Sequence, residues 1–210
     1  MTITDRAIIL SRQPWREHDK RVVFLTRNHG KLDAIAIGAH KIRSKLAGHL
    51  EPLRSVDVMF AIGRRAIFKV AQAVTVDSYV AQPLQPRRVM MQGTVCRLVD
   101  RATVDAHSDL ELFEIAAAAL AEINFVDERA LDAVFGKQLF LLAEHFGYAP
   151  QCNVCVVCGG ASEQFKKFSP ALGGVVCATC PAPGGVLVYS SAPEELHIFV
   201  SALLRWRNLL

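Results

Sequence analysis

A chain of 210 residues, 51% hydrophobic and 21% charged, is long enough to bury one substantial core or two small ones, and it has the composition of an ordinary folded protein. Its longest clean apolar run, residues 115–121, falls far short of the ~18 residues that a membrane span requires; the start, Met1-Thr2-Ile3-Thr4-Asp5-Arg6, has neither the apolar stretch nor the cleavage site of an export signal, so a cytoplasmic location is expected. The net charge of +4 is uneven: residues 1–79 carry 14 Lys and Arg against 7 Asp and Glu, and residues 80–210 carry 10 against 13, giving +7 and −3. A basic first part points to a polyanionic partner, or else to a merely solvated face.

In chain order, Ala7-Ile8-Ile9-Leu10 is an apolar run, residues 21–26 are β-branched and aromatic, and residues 31–37 alternate after a turn at Asn28-His29-Gly30. This predicts a strand followed by a hairpin. A Lys- and Arg-rich linker over residues 38–45 leads to a short helical piece that reaches Leu50, and Pro52 ends it. Residues 56–62 alternate up to the turn at Gly63-Arg64-Arg65, and residues 66–70 return from it. Five strands with a short helix between the third and fourth fit an OB-fold, a small closed barrel that often holds nucleic acid, although an SH3-like barrel would give much the same pattern.

Beyond Pro83 and Pro86 the spacing becomes helical, through Val89, Cys96, Val99 and Ala102, then Leu112, Ile115, Ala116, Ala119 and Ile123. A third helix is predicted from about Arg129 to Phe146, stopped by Gly147. Ser191-Ala192-Pro193-Glu194-Glu195 supplies an N-cap, an early proline and first-turn acids for a last helix through Leu210. The expected architecture is α+β and multidomain: an N-terminal OB-fold β-barrel at 1–79, an α-helical domain at 80–146 completed by 186–210, and an inserted four-cysteine zinc module at 147–185.

Cys155-Val156-Val157-Cys158 and Cys177-Ala178-Thr179-Cys180 are separated by 18 residues, the pattern of two turns that grip one ion. Cys155, Cys158, Cys177 and Cys180 are the candidate ligands of a single zinc. Four thiolates saturate a tetrahedral site and leave no place for an activated water, so such an ion is structural; iron is the competing metal for the same donors. Cys152 forms a second Cys-x-x-Cys register with Cys155, but Gly159-Gly160 after Cys158 fits the turn better. His49-Leu50-Glu51 resembles the His-x-Glu of zinc deaminases, yet the cysteine pairs begin more than a hundred residues later, and neither directly follows a proline. No phosphate loop, esterase elbow or dinucleotide fingerprint is present, so the chain is not expected to be an enzyme.

The second constellation is basic: Arg12, Arg16, Lys20, Arg21, Arg27, Lys31, Lys41, Arg43, Lys45, Arg64 and Arg65. Of these, Arg16, Lys20, Arg27, Lys41, Arg43, Lys45, Arg64 and Arg65 are the candidate DNA-binding residues, able to line a groove for phosphates if they project from barrel loops. Trp15 and His18 either stack on bases or pack the loop.

Several segments in order resemble the DNA repair protein RecO family: Trp15-Arg16-Glu17-His18-Asp19-Lys20 leading to Leu25-Thr26, His29-Gly30-Lys31-Leu32, Gly38-Ala39-His40-Lys41, Leu50-Glu51-Pro52-Leu53, Gly147-Tyr148-Ala149-Pro150, Phe168-Ser169-Pro170, and Gly173-Gly174-Val175-Val176-Cys177. The stretch between Thr103 and Asp109 is short against the family pattern. The resemblance implies an OB-fold, a helical domain and a zinc module, with binding to single- and double-stranded DNA in the nucleoid. It further implies work with RecR and often RecF, contact with the C-terminal tail of the single-stranded DNA-binding protein, strand annealing, and help in loading RecA. The alternative from the residues alone is a zinc-ribbon scaffold that acts through proteins without direct DNA binding.

Overall fold

The computed structural model describes residues 2–41, 44–63, 67–80, 83–151, 153–160, 165–169, 171–181 and 189–190. The chain divides into two compact units, residues 1–126 and 127–210, a boundary that falls inside the stretch the sequence reads as one helical domain.

In the first unit, β1 (Thr2–Trp15), β2 (Asp19–Thr26), β3 (Gly30–Ala36), β4 (Arg54–Ile62) and β5 (Phe68–Ser78) form a closed barrel in the order β1-β2-β3-β5-β4. All neighbours are antiparallel except β3 and β5, which run parallel and meet at Ala34↔Phe68 and Ile35↔Lys69. This is the OB order that the strand sequence predicts. Alternation sends Ala7, Ile9, Val22, Phe24, Leu32, Ala34, Val56, Val58 and Phe60 inward, each large one contributing roughly 1.5–3 kcal/mol through burial. Phe24 meets Phe60 edge-to-face at 5.1 Å, and Phe68 adds a third ring at 6.2 Å from Phe60.

Two strands are longer than their apolar runs. β1 extends to Thr2 and to Trp15 because it pairs with β4 over its first half and with β2 over its second. β5 runs on to Ser78 along β4. The predicted short helix before β4 is instead a chain of four-residue turns, with Ser44 N–H donating to Lys41 O, Ala47 N–H to Ser44 O and His49 N–H to Leu46 O. The physical reason is that so short a segment, weakened by Gly48 and ended before Pro52, cannot offset the cost of helix nucleation.

The reverse face of β1 and β2 is apolar too, with Ile8, Leu10, Val23 and Leu25 buried, and α1 (Pro86–Ala102) packs against β1. α2 (Leu110–Phe125) begins at Asp109, whose carboxylate accepts from Leu112 N–H at 2.9 Å. The buried face of α1 is partly polar. Arg88 donates through Nη1 to Ile123 O (2.6 Å) and Asn124 O (3.3 Å), tying off the C-terminal carbonyls of α2. Gln92 Nε2 donates to Tyr79 O (2.6 Å) and Leu120 O (3.0 Å), linking the strand exit to both helices. Val89 is accordingly only half-buried and Ala102 is exposed.

The end of the barrel at the β2–β3 turn is fastened to this helical layer. Asp5, its side chain 2% exposed, accepts from Asn28 N–H (2.9 Å), Asn28 Nδ2 (2.8 Å), Arg6 N–H (2.9 Å) and the His29 ring at Nδ1 (2.7 Å). Gly30, at φ +70°, has no room for a side chain: a Cβ there would lie 2.0 Å from His107 O. The short connection between α1 and α2 runs along β3 as an extra edge, with Ala106 N–H donating to Lys31 O at 2.8 Å.

In the second unit a 3-10 turn (Glu128–Ala130) leads into α3 (Leu131–His145), which buries Leu131, Phe135, Leu139 and Leu142. Gly147 adopts φ +76°, and Tyr148 N–H closes the helix on Ala143 O at 2.7 Å. β6 (Phe165–Ser169), β7 (Gly174–Cys177) and β8 (Tyr189–Ser190) form a small sheet in the order β7-β6-β8. The last helix expected at 191–210 lies outside the described residues. No helix among the described residues is long and apolar enough to cross a membrane.

Burial alone raises the Asp5 carboxyl, but the hydrogen bonds from His29, Asn28 and Arg6 outweigh it and hold the group below its ordinary value. A depressed carboxyl stabilises the fold above the unfolded pKa of about 3.9 and ceases to do so as pH falls through the folded value. Asp5→Asn, which turns a donor toward the Asn28 and His29 donors, should cost about 2 kcal/mol at pH 7 and flatten the acid limb below about pH 4, as read by urea unfolding across pH.

Candidate nucleic-acid interface and metal centre

The strand register gathers three connections at the opposite rim of the barrel. Lys20, which follows the β1–β2 turn, pairs with Ala36 at the end of β3, while Ala34 pairs with Phe68, which follows the β4–β5 turn. The chain leaving β3 is pinned to the β1–β2 turn: Gly38 N–H donates to Asp19 Oδ1 at 2.8 Å and His40 N–H to His18 O at 2.9 Å. Arg16 takes a left-handed φ of +58° at the tip of this turn, a conformation that is strained for a side chain with a Cβ.

The basic candidates separate sharply. Arg16, Lys41 and Lys45 are exposed, and among the described residues none of them has an ion-pair partner. Trp15, 40% exposed, and His18 flank Arg16. Lys20 is nearly buried, with its ammonium 3.3 Å from Glu51. Arg27 sits at the far end of the barrel, paired with Glu114 on α2 at 2.9 Å. Arg43, Arg64 and Arg65 lie outside the described residues. Several other cations of the barrel are taken by carboxylates, Arg6 by Asp57, Arg12 by Glu51, Arg21 by Asp33, and Lys31 by Asp100 and Asp105, whereas Lys69, exposed on β5, has no ion pair among the described residues. The pairing of Glu51 with Arg12 and Lys20 had no sequence signal, since these partners stand 39 and 31 residues away.

The four predicted cysteines converge. The Sγ atoms of Cys155, Cys158, Cys177 and Cys180 all lie within 4.8 Å of one another, and the Cys158–Cys177 pair is at 3.9 Å. A tetrahedral ion with bonds of about 2.3 Å needs sulfur pairs roughly 3.8 Å apart, so the donor set fits a thiophilic ion such as zinc. The first knuckle closes through Gly159 N–H to Cys155 O (2.8 Å), with Gly159 at φ +72°. It docks on β7 through Val156 N–H to Val175 O at 2.9 Å. Gly174 is obligatory, because a Cβ there would lie 2.5 Å from Gln151 O. Cys177 N–H donates to Cys155 Sγ at 3.3 Å, and that contact leads the causes that lower the Cys155 thiol. Hydrogen bonds from the Thr179 hydroxyl and then the Cys180 thiol hold Cys177 at about 6, whereas Cys180, bonded to Cys177 and Cys158, is pushed up to about 12. Cys152 lies outside the described residues. Cys96, on the buried face of α1, is pushed up to about 12 by burial and serves as packing.

Comparison with known proteins agrees with this arrangement of parts. The family model described as Recombination protein O N terminal matches residues 1–79, and Recombination protein O C terminal matches residues 85–203. The chain is similar to the DNA repair protein RecO of Myxococcus xanthus (strain DK1622), 31% identical over 176 residues, covering 84% of this chain and 71% of the relative. The DNA repair protein RecO of Cutibacterium acnes (strain DSM 16379 / KPA171202) is 31% identical over 188 residues, covering 87% and 76%. That of Nocardioides sp. (strain ATCC BAA-499 / JS614) is 29% identical over 208 residues, covering 97% and 83%. With both family models matched in order across most of its length, the chain belongs to the RecO family.

Proposed function

We propose that this protein is a DNA-binding recombination mediator without catalytic activity of its own. Family membership supports a role in DNA repair and recombination. The observation that carries the finer reading is the trio Arg16, Lys41 and Lys45, exposed and, among the described residues, without ion-pair partners, on the β1–β2 turn and on the chain that leaves β3, with Trp15 and His18 flanking Arg16. Cations without protein partners are the ones free to neutralise phosphates, and an aromatic ring among them offers a face for an unstacked base. On this reading the rim holds single- and double-stranded DNA and brings complementary strands together. RecR, often RecF, and the tail of the single-stranded DNA-binding protein are its partners at DNA prepared for RecA.

Zinc is the ion proposed for Cys155, Cys158, Cys177 and Cys180. Bound by four thiolates, it supplies a cross-link and no reactive water. Its role is to order the module, since metal-binding energy acts as folding energy for a segment whose buried core, among the described residues, is Cys155, Val176 and Cys177.

A labelled single-stranded oligonucleotide should bind with an affinity that falls steeply as salt rises. Lys41→Glu combined with Lys45→Glu should weaken that binding about tenfold or more at low salt and reduce the slope of log affinity against log salt by about 1.4, two phosphates at ~0.7 each. A chain that ignores both single and double strands in dilute buffer would leave the protein-only scaffold reading in place. Elemental analysis should find one zinc per chain, and Cys158→Ser should release it and open residues 147–184 to protease while the barrel remains folded.

A further inference from the structure

Glu51 lies just before β4 in a segment fixed by the buried Leu50 and by Leu53 N–H donating to Ile9 O at 3.2 Å. Its two carboxylate oxygens go to different strands. Oε2 accepts from Arg12 on β1, at 2.8 Å from Nε and 2.7 Å from Nη2, and Oε1 accepts from Lys20 on β2 at 3.3 Å. The bulge between Ile9 and Ser11 makes this possible: Arg12 pairs with Val22 and Pro14 with Lys20, so Arg12 and Lys20 point to the same side as the inward Val22 and Phe24. Two cations from adjacent strands thus converge on one anion immediately below the β1–β2 turn that carries Trp15, Arg16 and His18.

The site requires an anion. The Lys20 side chain is only 7% exposed, and an ammonium in that position without a partner would be an uncompensated buried charge. The anion in place is also replaceable, because the Arg12 and Glu51 side chains are 35% and 34% exposed and a solvent-reached ion pair exchanges readily for another. A phosphate offers the same paired, charged oxygens as a carboxylate and suits a guanidinium at least as well. The pair keeps a net positive charge even with Glu51 bound, so an incoming phosphate is still attracted.

We propose that Arg12 and Lys20 form a phosphate subsite of the DNA-binding rim, and that Glu51 occupies it in the free protein as a built-in competitor which a nucleic-acid phosphate displaces. The proposal rests on the DNA-binding reading above and adds to it. Glu51 would keep Lys20 paired while DNA is absent and set a threshold that only a polyanion, engaged at the same time by Arg16, Lys41 and Lys45, passes readily.

The test is Glu51→Gln, which keeps the side chain's size and removes its charge, in an oligonucleotide titration at several salt concentrations. The expected result is an affinity for single strands raised about tenfold at low salt, with a slope steeper by about 0.7 for each phosphate newly engaged. Unchanged or weaker binding by folded Glu51→Gln, with wild type binding normally, overturns the proposal and leaves Glu51 a structural strut; no binding by wild type overturns instead the DNA reading beneath it. Should Glu51→Gln fail to fold, 15N-labelled wild type serves. Saturating oligonucleotide should move the Arg12 Nε–H resonance as Glu51 leaves it, and a resonance that stays in place refutes displacement. Inorganic phosphate at matched ionic strength should move it little; an equal shift would make this a free-phosphate site and refute the nucleic-acid assignment.

Discussion

The double pairing of β1 governs the first unit. Its first half holds β4 from Thr2↔Ala61 to Ile8↔Ser55, and its second half holds β2 from Ala7↔Thr26 to Trp15↔Asp19. One strand therefore closes the ring and also extends beyond it as a long hairpin. The bulge at the handover changes which residues face inward, and that change puts Arg12 on the inner side of the rim while leaving Ile8 and Leu10 under the helical layer. Core closure, the helix-bearing face and the position of the basic turn all follow from the register of that single strand.

Charge pairing then divides the barrel into two ends with different tasks. Around the β2–β3 turn, Lys31 meets Asp100 on α1 and Asp105 in the α1–α2 connection, and Arg27 meets Glu114 on α2, which fastens strands to the helical layer, while Asp5 and His29 tie the turn to β1. At the other end Glu51 is committed to Arg12 and Lys20, and Asp19 to the backbone N–H of Gly38. Arg16, Lys41 and Lys45 differ from the cations at the helical end in forming no ion pair among the described residues.

Much of this was legible in the sequence, for identifiable reasons. The β-branched and aromatic run at residues 21–26, buried on both faces, and the alternation at 31–37 exposed the β2–β3 hairpin, and the spacing of Cys155, Cys158, Cys177 and Cys180 exposed the metal module because chelation by a tight turn permits little else. The strand ends at Thr2–Arg6 and Ala71–Ser78 were not legible, since their pairing is made by backbone groups that carry no side-chain signature. Nor were the burial of Arg88 and Gln92 on α1, which depends on carbonyls contributed by Tyr79, Leu120 and Ile123. Lys20 and Arg27 looked like free cations for the same reason: Glu51 and Glu114 are near them only in space.

The parallel join of β3 to β5 consists of two residue pairs, Ala34↔Phe68 and Ile35↔Lys69, whereas every other seam of the ring is several times longer. The seam with the fewest ladder hydrogen bonds to hold it therefore borders the rim where the β1–β2 and β4–β5 connections gather. On the DNA-binding reading proposed above, the weakest seam of the ring and the contact surface for nucleic acid share one rim, while the opposite end is fastened to the helices.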